Sequence, residues 1–128
     1  MIRSVYITFG FAIMMSAPAM AQDVAAGEKD FLICRACHQI GPTAKDAVGP
    51  VLNGVVGRKA GSDPNFNYSS ANKESGITWT EEELNKYLES PQTVVPHTKM
   101  MFPGVKEEAK RKDIIAYLAQ FGPDGAKK

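Results

Sequence analysis

Four stretches of the chain read as helix, and nowhere do apolar and polar residues alternate as a half-buried strand requires. The first stretch begins at Asp23, a residue suited to an N-cap, and runs through Val24-Ala25-Ala26-Gly27 to Phe31-Leu32-Ile33. Gly27 and Phe31 lie four apart, on one face. Glycine is a poor helix former, so Gly27 marks a place where another helix crosses closely. A short helix is predicted from Ser69 or Ser70 to Ser75, with Gly76 as the residue that stops it. Thr80 and Glu83 have the spacing of a capping box, with acids filling the first turn. That helix carries Leu84, Tyr87 and Leu88 on one face and ends before Pro91. The last begins after Pro103-Gly104, places Ile114, Tyr117, Leu118 and Phe121 on one stripe, and stops at Gly122-Pro123.

Between these stretches the pattern fails. Residues 39–64 have no repeating apolar stripe and are broken by Gly41-Pro42, Gly49-Pro50, Gly54, Gly57, Gly61 and Pro64. An irregular loop of that length in a small domain is expected to wrap around something. A second loop, residues 92–102, holds Pro96, His97, Met100 and Met101. At the start of the chain, Arg3, an apolar run from Val5 to Met15 and the small-residue end Ala19-Met20-Ala21 follow the order of a secretory signal peptide. Residues 1–21 are therefore expected to be cleaved, leaving 22–128 as one domain. The apolar run is too short to cross a bilayer of roughly 30 Å as a helix.

Composition narrows the picture further. Hydrophobic residues make up 44 % and charged ones 23 % of the 128, which excludes a disordered or fibrous chain. Loss of Arg3 with the leader would reduce the 15 basic residues to 14, equal to the 14 acids. A neutral domain gives no reason to expect nucleic acid or stable membrane insertion. The core is thin for a chain with so much loop, and its two cysteines are too close together to staple distant segments. Something else is expected to complete it.

Cys34-Arg35-Ala36-Cys37-His38 supplies the candidate. C-x-x-C-H is the attachment sequence for c-type haem. Two thiols three apart on a helical turn can add across the two vinyl groups of one porphyrin, and the following His38 is then held where its imidazole can ligate the iron. Three other readings compete. A thioredoxin-like thiol pair needs a strand–helix–strand setting, and here the setting is helix then loop. A plain short-loop disulfide in an oxidising compartment is the second. Half a zinc site needs two more ligands, and His97 is the only other histidine. For the sixth iron position the chain offers Met100, Met101 and His97. A methionine is usually core filler, but two in a proline-bounded loop favour a ligand role without deciding between them.

With those residues in hand, the chain resembles the class I c-type cytochromes, in particular bacterial periplasmic members close to mitochondrial cytochrome c. Besides the Cys34–His38 box, the matching segments are Gly49-Pro50, Gly57-Arg58-Lys59, Phe66-Asn67-Tyr68 with Ala71-Asn72-Lys73, Gly76-Ile77-Thr78-Trp79, Thr98-Lys99-Met100 and Asp113 to Leu118. The resemblance implies an all-α fold of four to five short helices and long loops around one haem c, covalently held by Cys34 and Cys37. It assigns the iron to His38 and Met100. It gives the Pro50 carbonyl the task of fixing the His38 ring, sets Arg58, Tyr68 and Trp79 on the haem propionates, and makes Asn72, Tyr87 and Thr98 a polar network beside Met100. It also brings Gly27 and Phe31 to Tyr117 at a helix crossing.

The implied function is one-electron transport in the periplasm, in a respiratory or photosynthetic chain, between donor and acceptor redox proteins, by a monomer that is not an enzyme. Alternatives are a dedicated electron acceptor for one periplasmic dehydrogenase and an open-site haem enzyme or sensor. Two departures stand out. His97 replaces the glycine usual in P-G-T-K-M. The lysines that commonly ring the haem edge are thin: Ile33, Gln92 and Thr93 occupy such positions, while Lys99 and Lys106 remain. Docking is therefore expected to depend weakly on salt.

Overall fold

The carboxylate of Asp23 accepts from the Ala26 N–H at 3.0 Å, and helix α1 follows over Val24–Asp30 in a computed structural model that describes residues 10, 12, 13 and 22–128. The leader assigned to 1–21 lies, except for Gly10, Ala12 and Ile13, outside the described residues. From Phe31 to Ile33 the helix tightens into a 3₁₀ turn, so the predicted first helix is two segments.

Helix α2 is Ser70–Glu74, capped by the Ser69 hydroxyl and followed by Gly76 at φ 68°. Helix α3, Glu81–Glu89, buries Leu84, Tyr87 and Leu88 as the spacing predicts. Only half of its capping box forms. Thr80 Oγ1 accepts from the Glu83 N–H at 3.1 Å, but the Thr80 N–H donates to the Thr78 carbonyl and the Glu83 carboxylate turns to Lys86.

The loop after Pro91 contains a helix the periodicity does not reveal. Helix α4, Pro91–Val94, is one turn long with proline in its first turn, too short to show a repeat. Helix α5, Glu108–Ala119, begins three residues later than the Pro103-Gly104 punctuation suggests. The reason lies in Gly104, held at φ 108° so that the Val105 N–H reaches the Leu88 carbonyl at 2.7 Å. That stretch completes the end of α3 before α5 can start.

The core forms where α1 crosses α5. Gly27 lies against the backbone of Asp113 and Ile114, where a Cβ would collide with the Asp113 carbonyl. Phe31, fully buried, meets the Tyr117 ring at 5.3 Å. The expected crossing is therefore spread over a turn, with Phe31 on Tyr117 and Gly27 on the residues before it. Among the described residues there are no strands, only the isolated bridges Lys59–Thr78 and Phe121–Lys127, and no helix is long and apolar enough to cross a membrane.

Candidate cofactor site

The helices and the long loop enclose a cavity of about 350 Å³. Its floor is apolar: Leu84 and Leu88 from α3, Ile114 and Leu118 from α5, Phe31 from the 3₁₀ turn, and Leu52 and Val55 from the loop. All of Cys34, Cys37, His38, Pro50, Arg58, Tyr68, Asn72, Trp79, Tyr87, Thr98 and Met100 border this one space. Residues spread over 67 positions of sequence are brought together by the fold.

The 3₁₀ turn leads directly into the cysteines, whose backbone is held by the Cys34 N–H on the Phe31 carbonyl and the His38 N–H on the Cys34 carbonyl. Cys34 and Cys37 are not bonded to each other. Burial, and secondarily the neighbouring Cys37, push the Cys34 thiol up to about 11. A thiol-exchange nucleophile ordinarily carries the opposite shift.

His38 donates from Nδ1 to the Pro50 carbonyl at 2.7 Å. Since a carbonyl only accepts, Nδ1 carries the proton and Nε2 keeps its lone pair. Burial holds the imidazole below its usual range, opposed by the Pro50 bond and reinforced by Arg58, which keeps it neutral at neutral pH. Gly49 permits this seating: a Cβ there would fall on the His38 ring. Sequence reading takes Gly49 only as loop punctuation and part of a motif, and nothing in its spacing reveals the contact.

Of the two methionines, Met100 is half-buried and packs against the core, whereas Met101 is 91 % exposed. Met100 is fixed through Thr98, whose Oγ1 accepts from the Met100 N–H at 3.2 Å and pairs with the Tyr87 hydroxyl at 3.2 Å. Gln92, missed in the sequence, adds a bond from Nε2 to the Thr98 carbonyl at 3.3 Å. Asn72 stands apart from this network. Its Oδ1 is buried without a partner, so the expected three-residue network is a pair, Tyr87 with Thr98.

Arg58 donates from Nη1 to the carbonyls of Val51 and Asn53, both at 3.1 Å, while its buried Nε has no partner. The Tyr68 hydroxyl accepts from the Asp63 N–H at 3.2 Å, and Trp79 packs on Tyr87 with ring centroids 4.6 Å apart.

A planar, largely apolar group with acidic substituents and a metal centre fits these residues. The floor is apolar, two thiols and a neutral imidazole border it, and of the three buried side-chain polar atoms without a partner among the described residues, Arg58 Nε and Asn72 Oδ1 belong to cavity residues while Gln120 Oε1 does not.

No family model matches the chain. Individual proteins do. It is 53 % identical over 124 residues to cytochrome c2 of Blastochloris viridis, covering 95 % of this chain and 98 % of that one. With cytochrome c2 of Rhodomicrobium vannielii it shares 58 % over 111 residues, 86 % and 89 % of the two chains. The solved structure of cytochrome cH from Methylobacterium extorquens superposes with a TM-score of 0.72 at 49 % identity, covering 76 % of this chain and 97 % of that one.

Proposed function

The chain belongs to the class I c-type cytochromes, and from that membership we propose that residues 22–128 form a periplasmic monohaem carrier holding its iron between His38 and Met100. The protein carries electrons singly between redox partners; it performs no bond-making chemistry on a substrate. Haem c, attached through Cys34 and Cys37, supplies an iron that alternates between ferrous and ferric states.

The residues around it support that reading. Pro50 orients His38 and so presents Nε2 as the ligating nitrogen. Met100, steadied by Thr98 and Tyr87, would supply a thioether to the iron and leave it no open position for oxygen or peroxide. The apolar floor and the thioether favour the less charged ferrous state, raising the potential over that of an exposed haem. Arg58, Tyr68 and Trp79 would hold the propionates, which need partners where they are buried. Export removes residues 1–21, and the monomer meets donor and acceptor proteins in brief encounters.

The observation that carries this reading is the convergence of Cys34, Cys37, His38 and Met100 on one apolar cavity. Protein matured with export and haem-attachment machinery is expected to show covalent haem, a methionine–iron charge-transfer band when oxidised, and no response to carbon monoxide when reduced. Rapid carbon monoxide binding would mean an open iron and an enzyme or sensor.

A further inference from the structure

His97 is the one non-glycine residue held at positive φ among the described residues, at 67°. The local chain shows why. The Thr98 N–H donates to the Val95 carbonyl at 3.0 Å, closing a turn with Pro96 second and His97 third. Proline fixes its own φ near −65°, so a positive φ at the next position makes the turn type II. Its third position ordinarily takes glycine or asparagine, because a Cβ there crowds the backbone. The imidazole is exposed, so no packing compensates for the conformation.

The residue that follows is the anchor of Met100. Thr98 receives the Met100 N–H and pairs with Tyr87, while Gln92 holds its carbonyl. The turn therefore sets where Thr98 sits, and Thr98 sets where Met100 sits. Strain at His97 is released when this loop swings out.

We propose that His97 is a positioning residue that loads the Met100 loop with backbone strain, so that the methionine yields its place to a small neutral nitrogen ligand more readily than it would with glycine at 97. The proposal rests on Met100 being the iron ligand. Relief of the left-handed strain by glycine is partly offset by the greater freedom glycine gains once the loop opens, leaving a net factor of about three to five in the opening equilibrium.

The test uses the ferric holoprotein, imidazole as the ligand, and the methionine–iron band as the readout, in His97→Gly, His97→Ala and His97→Asn beside the parent. His97→Gly is expected to need about three- to fivefold more imidazole for half-loss of the band, with His97→Asn between it and the parent. His97→Ala, which keeps the Cβ and removes the ring, is expected to open at least as readily as the parent. Equal titrations for His97→Gly and the parent would overturn the proposal. So would an Ala variant as resistant as the Gly variant, because the effect would then belong to the ring. A parent lacking the methionine band altogether would remove the ligand assignment itself.

Discussion

Gly49 and Pro50 seat one imidazole from two directions, one by having no side chain and the other by lending a carbonyl. Gly49→Ala is therefore expected to displace the His38 ring and to lower stability by about 1–3 kcal/mol, the usual range for overpacking. Guanidinium unfolding of the holoprotein, with its oxidised spectrum, checks both effects. At this scale the sequence shows chemistry better than contact. The C-x-x-C-H spacing announces the cofactor, but Met100 and Met101 look alike until burial separates them. Likewise Arg58 is legible as a charge and not as a side chain bonded to the Val51 and Asn53 carbonyls. Those bonds depend on how a glycine-punctuated loop folds back, which no periodicity encodes.

Helices with a repeating face were legible almost to the residue, and the failures lie where a long-range contact overrides a local signal. The start of α5 is one case, delayed by the Val105 bond to α3. Arg111 is another. Flanked by Lys110 and Lys112 and belonging to no motif, it is nonetheless 5 % exposed and donates to Asn85 Oδ1 at 2.8 Å and to the carbonyls of Val105 and Lys106, both at 2.9 Å. A lysine cannot serve three acceptors set apart in this way, so Arg111→Lys is expected to lower the unfolding free energy by about 2 kcal/mol or more. At the α1–α5 crossing, Gly27→Ala gains up to about 1 kcal/mol of helix propensity but drives a methyl into the Asp113 carbonyl, and overpacking of about 1–3 kcal/mol wins. Thermal melting checks both variants. On the exposed face of α3, the Lys86 hydrogen bond holds Glu82 below its usual 4.5, and the Glu82 and Glu83 bonds hold Lys86 above its usual 10.5. The pair therefore contributes above about pH 4.5 and is lost as acid protonates Glu82; it contributes below about pH 10.5 and is lost as base neutralises Lys86. Lys86→Met is expected to melt slightly below the parent at neutral pH, with the gap closing at both extremes.

As a whole the molecule presents a near-neutral surface with a concentrated apolar rim. Ile33, Val48 and Met101 border the cavity while being 56 %, 76 % and 91 % exposed. The two lysines left near that edge are turned to backbone carbonyls, Lys99 to Asn67 at 3.1 Å and Lys106 to Glu89 at 3.0 Å. Electron transfer with a protein partner is therefore expected to change little between about 10 and 200 mM salt, a range over which the screening length shrinks several-fold. Stopped-flow rates across that range decide it, and a steep fall would point to charge-steered docking. The all-α architecture was legible from four helical stretches without a strand pattern, and the thin core with its long loops pointed to a cofactor that completes it. The paths of those loops were not, since glycine and proline mark where a chain turns without saying toward what.

The Asp23 N–H reaches Asp113 Oδ1 at 2.9 Å, and so the fold is fastened by its two ends. For a chain made from its N-terminus this is a matter of timing. Until α5 emerges, α1 has nothing to lie against, and Cys34 remains in the open, its thiol free of the burial that later makes it sluggish. Once the ends meet, Cys34 is half-buried and its thiol is harder to ionise. A chain cut before residue 108 is therefore expected to be alkylated at Cys34 faster than the full-length chain without its cofactor.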